Sequence, residues 1–315
     1  MQIISNQQLQ NALSYPILIQ SLRNAFCENI TVPLRHHHQY ANPKAGVDST
    51  LLLMPAWQSS EYLGVKIVTV SPNNTTHQLP SIHGVYLLFN AKTGVPIAQM
   101  DAKILTSRRT AAASALASTY LSRKDSRTLL MVGTGALAPC LIEAHATVRP
   151  IEKVLVWGRN FEKAQQLIDN LKLPHLKLQA IEKIAQGIEA ADIISCATLS
   201  EQSLIFGKYL RDGQHVDLVG SFKPDMREAD DIAIQKATVF VDTLEGAIKE
   251  SGDIVLPLEN GILNISDIQA DLFGMCQMDN FQRKSKEEIT LFKSVGHALE
   301  DLAAARMVFK MVNNF

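Results

Sequence analysis

A short apolar run that breaks into a glycine turn constrains the fold of this chain more than any other feature. Residues 129–138 read Leu-Leu-Met-Val-Gly-Thr-Gly-Ala-Leu-Ala, and a helix-like segment follows them. This pattern is typical of a buried parallel strand that enters a helix through a Gly-x-Gly-x-x-Ala turn. Gly133 would permit the tight turn, Gly135 would let a phosphate approach the backbone, and Ala138 would let helix and strand pack closely. The unpaired amides at the helix start therefore predict a dinucleotide site.

Composition and length narrow the classes of protein that remain. At 315 residues the chain is long enough for about two domains. Its net charge of −1 disfavours a nucleic-acid or membrane-surface role. No apolar run reaches the ~18 residues that span a bilayer, and the first residues do not resemble a secretion signal. The four cysteines are far apart without a Cys-x-x-Cys pair, which predicts a reduced, cytoplasmic protein.

The middle of the chain alternates strand-like and helix-like segments. Strands are predicted over 129–132, 153–157, 176–180, 193–197, 215–220 and 238–242, and helices over 161–173, 181–191 and 228–236. This alternation predicts a mostly parallel sheet with helices on both of its faces. The expected fold class is therefore α/β, with a Rossmann-type doubly wound parallel sheet.

The first third of the chain has a different pattern. After a helix over 6–24 come strand-like runs over 49–55, 64–70 and 84–90, separated by turns rich in Pro, Asn and Gly. These runs predict an antiparallel sheet in a separate domain. A small-residue helix over 110–120 follows, and a long amphipathic helix over 294–312 ends the chain. The last helix is expected to return to the first domain, which would make that domain discontinuous.

The end of the second predicted strand bears on the choice of cofactor. A site selective for NAD usually has Asp or Glu there to accept a hydrogen bond from the ribose 2′-hydroxyl. Here the segment is Trp157-Gly158-Arg159-Asn160, with no carboxylate. An arginine at this place suits a 2′-phosphate, so we expect NADPH to bind at least as well as NADH. The alternative is that Arg159 is a solvated surface residue.

Several cations outside the glycine turn are candidates for binding an anionic substrate. Lys66 is an isolated charge in an apolar strand, where it could equally be an outward-facing edge residue. Arg108 and Arg109 precede the small-residue helix, and one of them could face an anion at its N-terminus. Arg35 lies in a loop just before three histidines, residues 36–38. We expect no metal site at these histidines, because adjacent side chains diverge and no acidic or Cys/His cluster accompanies them.

Six motifs occur in order along the chain: Leu79–Gly84, Leu105–Ser114, Val132–Gly135, Val156–Arg159, Asp192–Thr198 and Phe292–Gly296. Together they resemble the ornithine cyclodeaminase/mu-crystallin family over nearly the whole chain. The resemblance implies a Rossmann domain over 119–293 and a discontinuous α+β dimerisation and substrate domain made of 1–118 and 294–315. It also implies a homodimer, an active site between the domains, and an NAD(P)-dependent reaction at the C–N bond of a small amino or imino acid.

The resemblance also assigns roles to particular residues. The cations for the substrate carboxylate would be Lys66 and Arg109, with Arg35 a weaker match, and Ser81 would contact the substrate. Lys66, Arg109 and Ser81 are the expected catalytic residues. The expected cofactor-binding residues are Gly133, Thr134, Gly135, Ala136, Leu137, Arg159, Asn160, Thr198, Ser221 and Lys293. The proton donor is not identified, because Ser81, His83 and a water molecule all remain candidates.

One departure from the family pattern decides between its activities. Ornithine cyclodeaminases carry an aspartate after the Val-Gly-Gly turn, whereas Phe222 occupies that place here. The surrounding segment resembles the branch that reduces Δ1-pyrroline-2-carboxylate to L-proline, and Phe222 would form an apolar wall for the substrate ring. The predicted reaction is therefore reduction of a five-membered cyclic imino acid, or of the six-membered Δ1-piperideine-2-carboxylate to L-pipecolate. The alternatives are ornithine cyclodeamination and a non-catalytic, mu-crystallin-like ligand-binding role.

Overall fold

The computed structural model describes residues 1–314. In chain order the strands are β1 Gln2–Ile3, β2 His36–Tyr40, β3 Ser49–Gln58, β4 Tyr62–Val70, β5 Ile82–Asn90, β6 Pro96–Asp101, β7 Thr128–Val132, β8 Lys153–Trp157, β9 Lys177–Ala180, β10 Ile193–Cys196, β11 His215–Leu218, β12 Thr238–Val241, β13 Ile268–Asp271 and β14 Thr290–Lys293. The α-helices are α1 Asn6–Ala12, α2 Tyr15–Phe26, α3 Ala102–Leu121, α4 Ala138–Val148, α5 Phe161–Asn170, α6 Ile184–Ala190, α7 Asp231–Lys236, α8 Leu244–Glu250, α9 Gly252–Glu259, α10 Leu272–Gln277 and α11 Ala298–Val312. Among these residues, no helix combines the length and the apolar character that a membrane crossing needs.

The chain forms two compact units. Unit 1 contains Met1–Thr110 together with the C-terminal segment that begins at Ala298, and unit 2 contains Ala111–His297. The sequence predicted divisions at 118 and 294, whereas the structure divides the chain at 110 and 297. The first division falls inside α3, so one continuous helix contributes its first half to unit 1 and its second half to unit 2.

Unit 2 is built on an eight-stranded sheet in the order β13-β12-β14-β11-β10-β7-β8-β9. All of its strand pairs are parallel. Strands β10, β11 and β14 are buried along their whole length, as expected for strands with helices on both faces. The strand order reverses between β7 and β10, which is the point where doubly wound sheets bind their ligands. The predicted α/β fold class is confirmed.

Unit 1 contains a six-stranded sheet in the order β1-β6-β5-β4-β3-β2. The pairs from β2 to β6 are antiparallel, as predicted, and only the short β1 adds in parallel at one edge. Helix α11 packs on α2 and on strands β3, β4 and β5. Its residues from Ala298 to Val308 are all buried, so this helix forms part of the core of unit 1.

The predicted helices over 161–173, 181–191 and 228–236 are shorter in the structure, and strands β13 and β14 were not predicted. Three other helix predictions also differ. The predicted helix over 6–24 is two helices, because Pro16 fits only in the first turn of a helix and Ser14 is the N-cap of α2. Helix α3 begins eight residues before Thr110, at Ala102, and the Asp101 carboxylate accepts a hydrogen bond from the Ile104 N–H at 2.7 Å. The last helix begins at Ala298 rather than at 294, because Gly296 has a left-handed φ of +83° that a helix does not accommodate.

Candidate active site

The glycine turn after β7 has the geometry that the sequence predicts. Gly133 has a φ of +115°, and a Cβ at this residue would lie 2.6 Å from the Ala197 carbonyl oxygen, so no larger residue fits. Gly135 is different, because a Cβ there would meet no atom within 4 Å. Packing against other protein atoms therefore does not require a glycine at 135. A glycine here would instead let a phosphate group approach the backbone. Ala136 is exposed, Leu137 is half-buried and α4 begins at Ala138.

A groove of about 480 Å³ opens beside this turn in unit 2. It is lined by Gly133, Thr134, Gly135, Trp157, Gly158, Arg159, Asn160, Lys163, Ala197, Thr198, Leu199, Ser200 and Leu204. The lining comes from the ends of β7, β8 and β10, so the groove lies at the switch point of the sheet. Its shape, the open space over Gly135 and the helix start after it fit a dinucleotide.

The cationic end of the groove contains one residue that sequence analysis missed. Arg159 is exposed after β8, as predicted, and Lys163 lines the same groove four residues later. Asn160 is the N-cap of α5, and its side chain accepts a hydrogen bond from the Lys163 backbone N–H at 3.1 Å. The cap starts α5 at Phe161, and the first turn of this helix brings Lys163 to the same groove as Arg159. A basic residue in the first turn after Gly-Arg-Asn was the available signal.

Thr198 lines the groove and is held there by a buried carboxylate that was not predicted. Glu228 accepts hydrogen bonds from the Thr198 N–H at 2.7 Å and from its hydroxyl at 2.8 Å. The other oxygen of Glu228 accepts a hydrogen bond from the Gly220 N–H at 2.7 Å. Glu228 is fully buried, and burial raises the pKa of its carboxyl above the ordinary value even though Lys293 opposes the shift. One side chain therefore joins the loop after β10 to the loop after β11.

Two predicted cofactor ligands are buried away from the groove. The Ser221 hydroxyl donates a hydrogen bond to the Met226 carbonyl oxygen at 2.7 Å, and its side chain is inaccessible to solvent. The Lys293 ammonium donates to the Leu218 carbonyl oxygen at 3.1 Å and is also inaccessible. The geometry therefore does not support direct cofactor contacts by these side chains, because their polar groups already bond protein atoms beneath the loops.

The predicted substrate cations Lys66 and Arg109 meet inside unit 1. Lys66 lies on β4, and only 3% of its surface is exposed. Lys66 lies on the same face of β4 as Gly64, and α11 covers this face. The alternative that Lys66 is an outward-facing edge residue is therefore wrong. Arg109 lies well inside α3, and 4% of its surface is exposed. The proposed anion site at a helix N-terminus is therefore also wrong, because the helix begins seven residues earlier.

Lys66 and Arg109 pair with two carboxylates of α11, Asp301 and Glu300. The Lys66 Nζ lies 2.7 Å from Asp301 Oδ2 and 3.4 Å from the Thr106 hydroxyl. Arg109 Nε donates to Asp301 Oδ1 at 3.0 Å, and its Nη1 donates to Glu300 Oε2 at 2.5 Å. Asp301 and Glu300 are completely buried. We call Lys66, Arg109, Glu300 and Asp301 the ionic cluster.

The cluster changes the proton affinities of its members. Burial lowers the pKa of Lys66 to about 8, against the opposing effect of Asp301 and with further lowering by Arg109 and Arg35. A contact of Arg35 with the substrate stays a prediction. Burial alone would raise the pKa of Asp301, but Arg109 and Lys66 hold it below its ordinary value. At neutral pH the cluster thus contains charged cations and anions.

Other predicted residues are placed differently. Ser81 lies in the turn before β5, opposite Ser71, and its hydroxyl donates to the Pro72 carbonyl oxygen at 3.4 Å. Ser71 lies five positions after Lys66, roughly 16 Å along an extended strand, so the structure does not bring Ser81 to the cluster. Arg108 stacks over the Tyr15 ring, with Cζ 4.9 Å from the ring centroid.

Phe222 and the histidine run have exposed positions. The side chain of Phe222 is 44% exposed on the loop after β11, and its contact with substrate stays a prediction. The three histidines form part of β2, a strand that the sequence did not predict, and every residue of that strand is exposed. In the described part of the chain, no group of three or more His, Cys, Asp or Glu side chains is arranged to hold a metal ion.

The doubly wound sheet and the groove at its switch point define a Rossmann-type dinucleotide-binding unit. The model of the ornithine cyclodeaminase/mu-crystallin family matches residues 6–314, and the chain belongs to this family. The protein SAR DEFICIENT 4 of Arabidopsis thaliana is 41% identical to it, over 97% of this chain and 95% of that relative. The Delta(1)-pyrroline-2-carboxylate reductase of Colwellia psychrerythraea is 38% identical, over 98% of each chain.

A solved structure extends the similarity to the whole fold. The Delta(1)-pyrroline-2-carboxylate reductase of Thermococcus litoralis, solved with NADH and L-proline, superposes with a TM-score of 0.92. It is 34% identical and aligns over 100% of this chain and 98% of its own. The predicted family is therefore confirmed.

Proposed function

We propose that this protein reduces Δ1-pyrroline-2-carboxylate to L-proline with NADPH or NADH. The observation that carries the proposal is the buried pair of Lys66 and Arg109 in a chain whose reductase relatives match it from end to end. Phe222 supports reduction over ornithine cyclodeamination, because the aspartate expected of a cyclodeaminase is absent at this place. The six-membered Δ1-piperideine-2-carboxylate is proposed as a second substrate.

The cations would orient the substrate through its carboxylate. In this structure the Lys66 ammonium forms an ion pair with Asp301 and donates a hydrogen bond to the Thr106 hydroxyl. An ammonium has three N–H donors, so it can also donate to a substrate oxygen beside the guanidinium of Arg109. Fixing the carboxylate in this way restricts the position of the imine carbon, and such positioning can supply a large part of a rate enhancement. When bound in the groove of unit 2, the reduced nicotinamide would supply the hydride.

The direct test is an assay of cofactor oxidation by the purified protein. Both imino acids are supplied in turn, with NADPH and with NADH, and the product is identified by chromatography. We expect oxidation of cofactor in proportion to proline or pipecolate formed. Release of ammonia from ornithine, without cofactor oxidation by either imino acid, would contradict the proposal and support the lyase. Binding of ligands without turnover would support the non-catalytic alternative.

Cofactor selection gives a further prediction. We expect Arg159→Ala to weaken NADPH binding by roughly 10- to 150-fold, because a charge-assisted contact contributes ~1.5–3 kcal/mol. NADH binding should change little, since NADH lacks the 2′-phosphate. Lys163→Ala should act in the same direction, and Lys153→Ala, at the other end of β8, is the matched control. Titration of cofactor fluorescence measures all four proteins. An equal loss for both cofactors in Arg159→Ala would show that this residue does not bind the 2′-phosphate.

We also propose that the protein is a homodimer and that the sheet of unit 1 forms its interface. Three rows of aligned apolar residues lie on the face opposite Lys66 and Tyr86: Leu53–Ile67–Val85, Pro55–Val65–Leu87 and Trp57–Leu63–Phe89. All nine side chains are only partly buried. A second copy of the same face would cover them, and two-fold pairing is the commonest arrangement in oligomers. The sequence also predicted that the helix over 294–312 takes part in the interface. Because Ala298–Val308 of α11 is buried within unit 1, we propose the sheet face alone.

A cytoplasmic location remains a prediction from cysteine spacing.

The dimer prediction can be tested at the centre of that face. Leu87→Asp should yield a monomer at micromolar concentration, because an unpaired carboxylate would be buried in an apolar interface. Lys92→Asp, in the exposed turn between β5 and β6, is the control and should remain dimeric. Light scattering during size-exclusion chromatography measures both masses. A wild-type protein that elutes as a stable monomer would contradict the proposal.

A further inference from the structure

The Asp301 carboxylate is shared between the two cations of the ionic cluster. One oxygen lies 2.7 Å from Lys66 Nζ and the other accepts a hydrogen bond from Arg109 Nε at 3.0 Å. These residues come from α11, β4 and α3, so the carboxylate joins three elements of unit 1. Building on the proposed function, we propose that Asp301 is a positioning residue that fixes Lys66 and Arg109 at the separation a substrate carboxylate requires.

Burial makes a purely stabilising role for this arrangement a poor explanation. The four members of the ionic cluster are at most 4% exposed. Removing such charges from water costs free energy that their attraction offsets only with good geometry, and well-packed apolar residues often stabilise a core equally well. The arrangement instead fixes the direction of the Lys66 ammonium. A lysine side chain is long and flexible, so an ammonium without a fixed partner would occupy many positions. A bridging carboxylate ties that ammonium to the guanidinium.

Glu300 holds the arginine side of the arrangement, where its Oε2 accepts a hydrogen bond from Arg109 Nη1 at 2.5 Å. Asp301 instead pairs with Lys66 through one carboxylate oxygen and with Arg109 through the other. The two acids are therefore assigned different roles, Asp301 in spacing the two cations and Glu300 in holding the guanidinium. This difference provides a matched pair of variants on neighbouring residues of one helix.

The charge on Lys66 depends on the groups that surround it. Burial lowers its pKa to about 8, Asp301 on α11 opposes this, and Arg109 on α3 and Arg35 before β2 add to it. Tyr86, its partner on β5, is held neutral because burial and Asp301 raise its pKa. The ammonium is therefore charged below pH ~8 and is lost as the pH rises above it. Without Asp301 the opposing effect disappears, so the charge should be lost at a lower pH.

The experiment measures carboxylate binding separately from turnover. Pyrrole-2-carboxylate, a planar analogue that cannot be reduced in the same way, is titrated calorimetrically into cofactor-loaded protein from pH 6 to 9.5. We expect Asp301→Asn to weaken its binding roughly 10- to 100-fold at pH 7, as a 1 Å misplacement can do, and to move the alkaline loss of affinity to lower pH. Glu300→Gln should weaken binding less and leave that alkaline loss where the wild type has it. Cofactor affinity should be unchanged in both variants, because the groove lies in unit 2.

The outcomes separate this inference from the proposed function. Wild-type protein that binds the analogue with the expected pH dependence but reduces neither imino acid would overturn the proposed function and leave the role of Asp301 standing. Asp301→Asn that binds like the wild type at every pH would overturn the positioning role. If Asp301→Asn fails to fold, Asp301→Glu retains the charge but displaces it. Asp301→Glu should bind pyrrole-2-carboxylate more weakly than the wild type, with the affinity still lost near pH 8. Unchanged affinity in this variant would contradict the positioning role of Asp301. Failure of the wild type to bind either the analogue or L-proline would contradict both proposals.

Discussion

Replacing Lys66 with methionine is expected to lower kcat/KM for Δ1-pyrroline-2-carboxylate by roughly 10- to 150-fold. The substitution keeps the length of the side chain and removes one charge-assisted contact, which contributes ~1.5–3 kcal/mol. The same range is expected for Arg109→Met. Affinity for NADPH should be within about twofold of the wild type, because the substitutions lie in unit 1 and the groove lies in unit 2. Steady-state kinetics and cofactor titration provide the two readouts.

The buried partner of Lys66 makes a second readout necessary. Lys66→Met leaves the Asp301 carboxylate with Arg109 and one cation fewer, and breaking a buried ion pair costs ~3–5 kcal/mol of stability. The double variant Lys66→Met with Asp301→Asn removes both charges and should recover part of the melting temperature. It should not recover kcat/KM, since the substrate contact is still missing. Recovery of activity together with stability would show that the single variant lost activity by unfolding.

Replacing Glu228 with alanine is expected to destabilise the nucleotide groove. Three hydrogen bonds to buried or half-buried groups of Thr198 and Gly220 would be lost. An unsatisfied buried donor costs ~1–3 kcal/mol, so the loss is about 3 kcal/mol or more in total. For a unit of this size that corresponds to a melting temperature lower by roughly 6–12 °C. NADPH affinity should fall as well, because Thr198 lines the groove.

A surface glutamate of the same unit provides the control for that experiment. Glu245 is exposed and pairs with Lys249 one helical turn later, and such pairs contribute ~0–1 kcal/mol. Glu245→Ala should therefore melt close to the wild type and bind NADPH normally. Thermal unfolding followed with and without NADPH measures both effects. If Glu228→Ala has the same melting temperature as Glu245→Ala, the Glu228 carboxylate does not stabilise the loops after β10 and β11.

Local patterns predicted six of the eight strands of unit 2, but not β13 or β14. Strand β8 has the predicted bounds, and β7 and the glycine turn after it lie where the sequence places them. Apolar runs, turn residues and helix periodicity act over a few neighbours, so they can be read without knowing the partner of each strand. The cations Arg159 and Lys66 were identified in the same way, as charges at places where the local pattern expects none.

Other features depended on partners far away in the sequence. The polar run His36–Tyr40 is a strand because it pairs with β3, and its own residues carry no apolar alternation. Ser221 and Lys293 were assigned to the cofactor from motifs, whereas the fold turns their polar groups towards backbone carbonyl oxygens. A motif gives the position of a residue on an element. It does not predict whether the neighbouring loops bury the side chain or leave it accessible to a ligand.

The sequence by itself determined the α/β class and the glycine turn, and its family resemblance named Lys66 and Arg109 as candidate substrate cations. Only the tertiary structure decided that Lys66 faces inward and that Asp301 bonds both it and Arg109. Arg109 and Asp301 are 192 positions apart, and Asp301 lies in a helix whose neighbours are mostly alanine and leucine. Pairing between such distant groups depends on how β4, α3 and α11 pack, because hydrogen bonds and ion pairs act over a few ångströms in space and not along the chain.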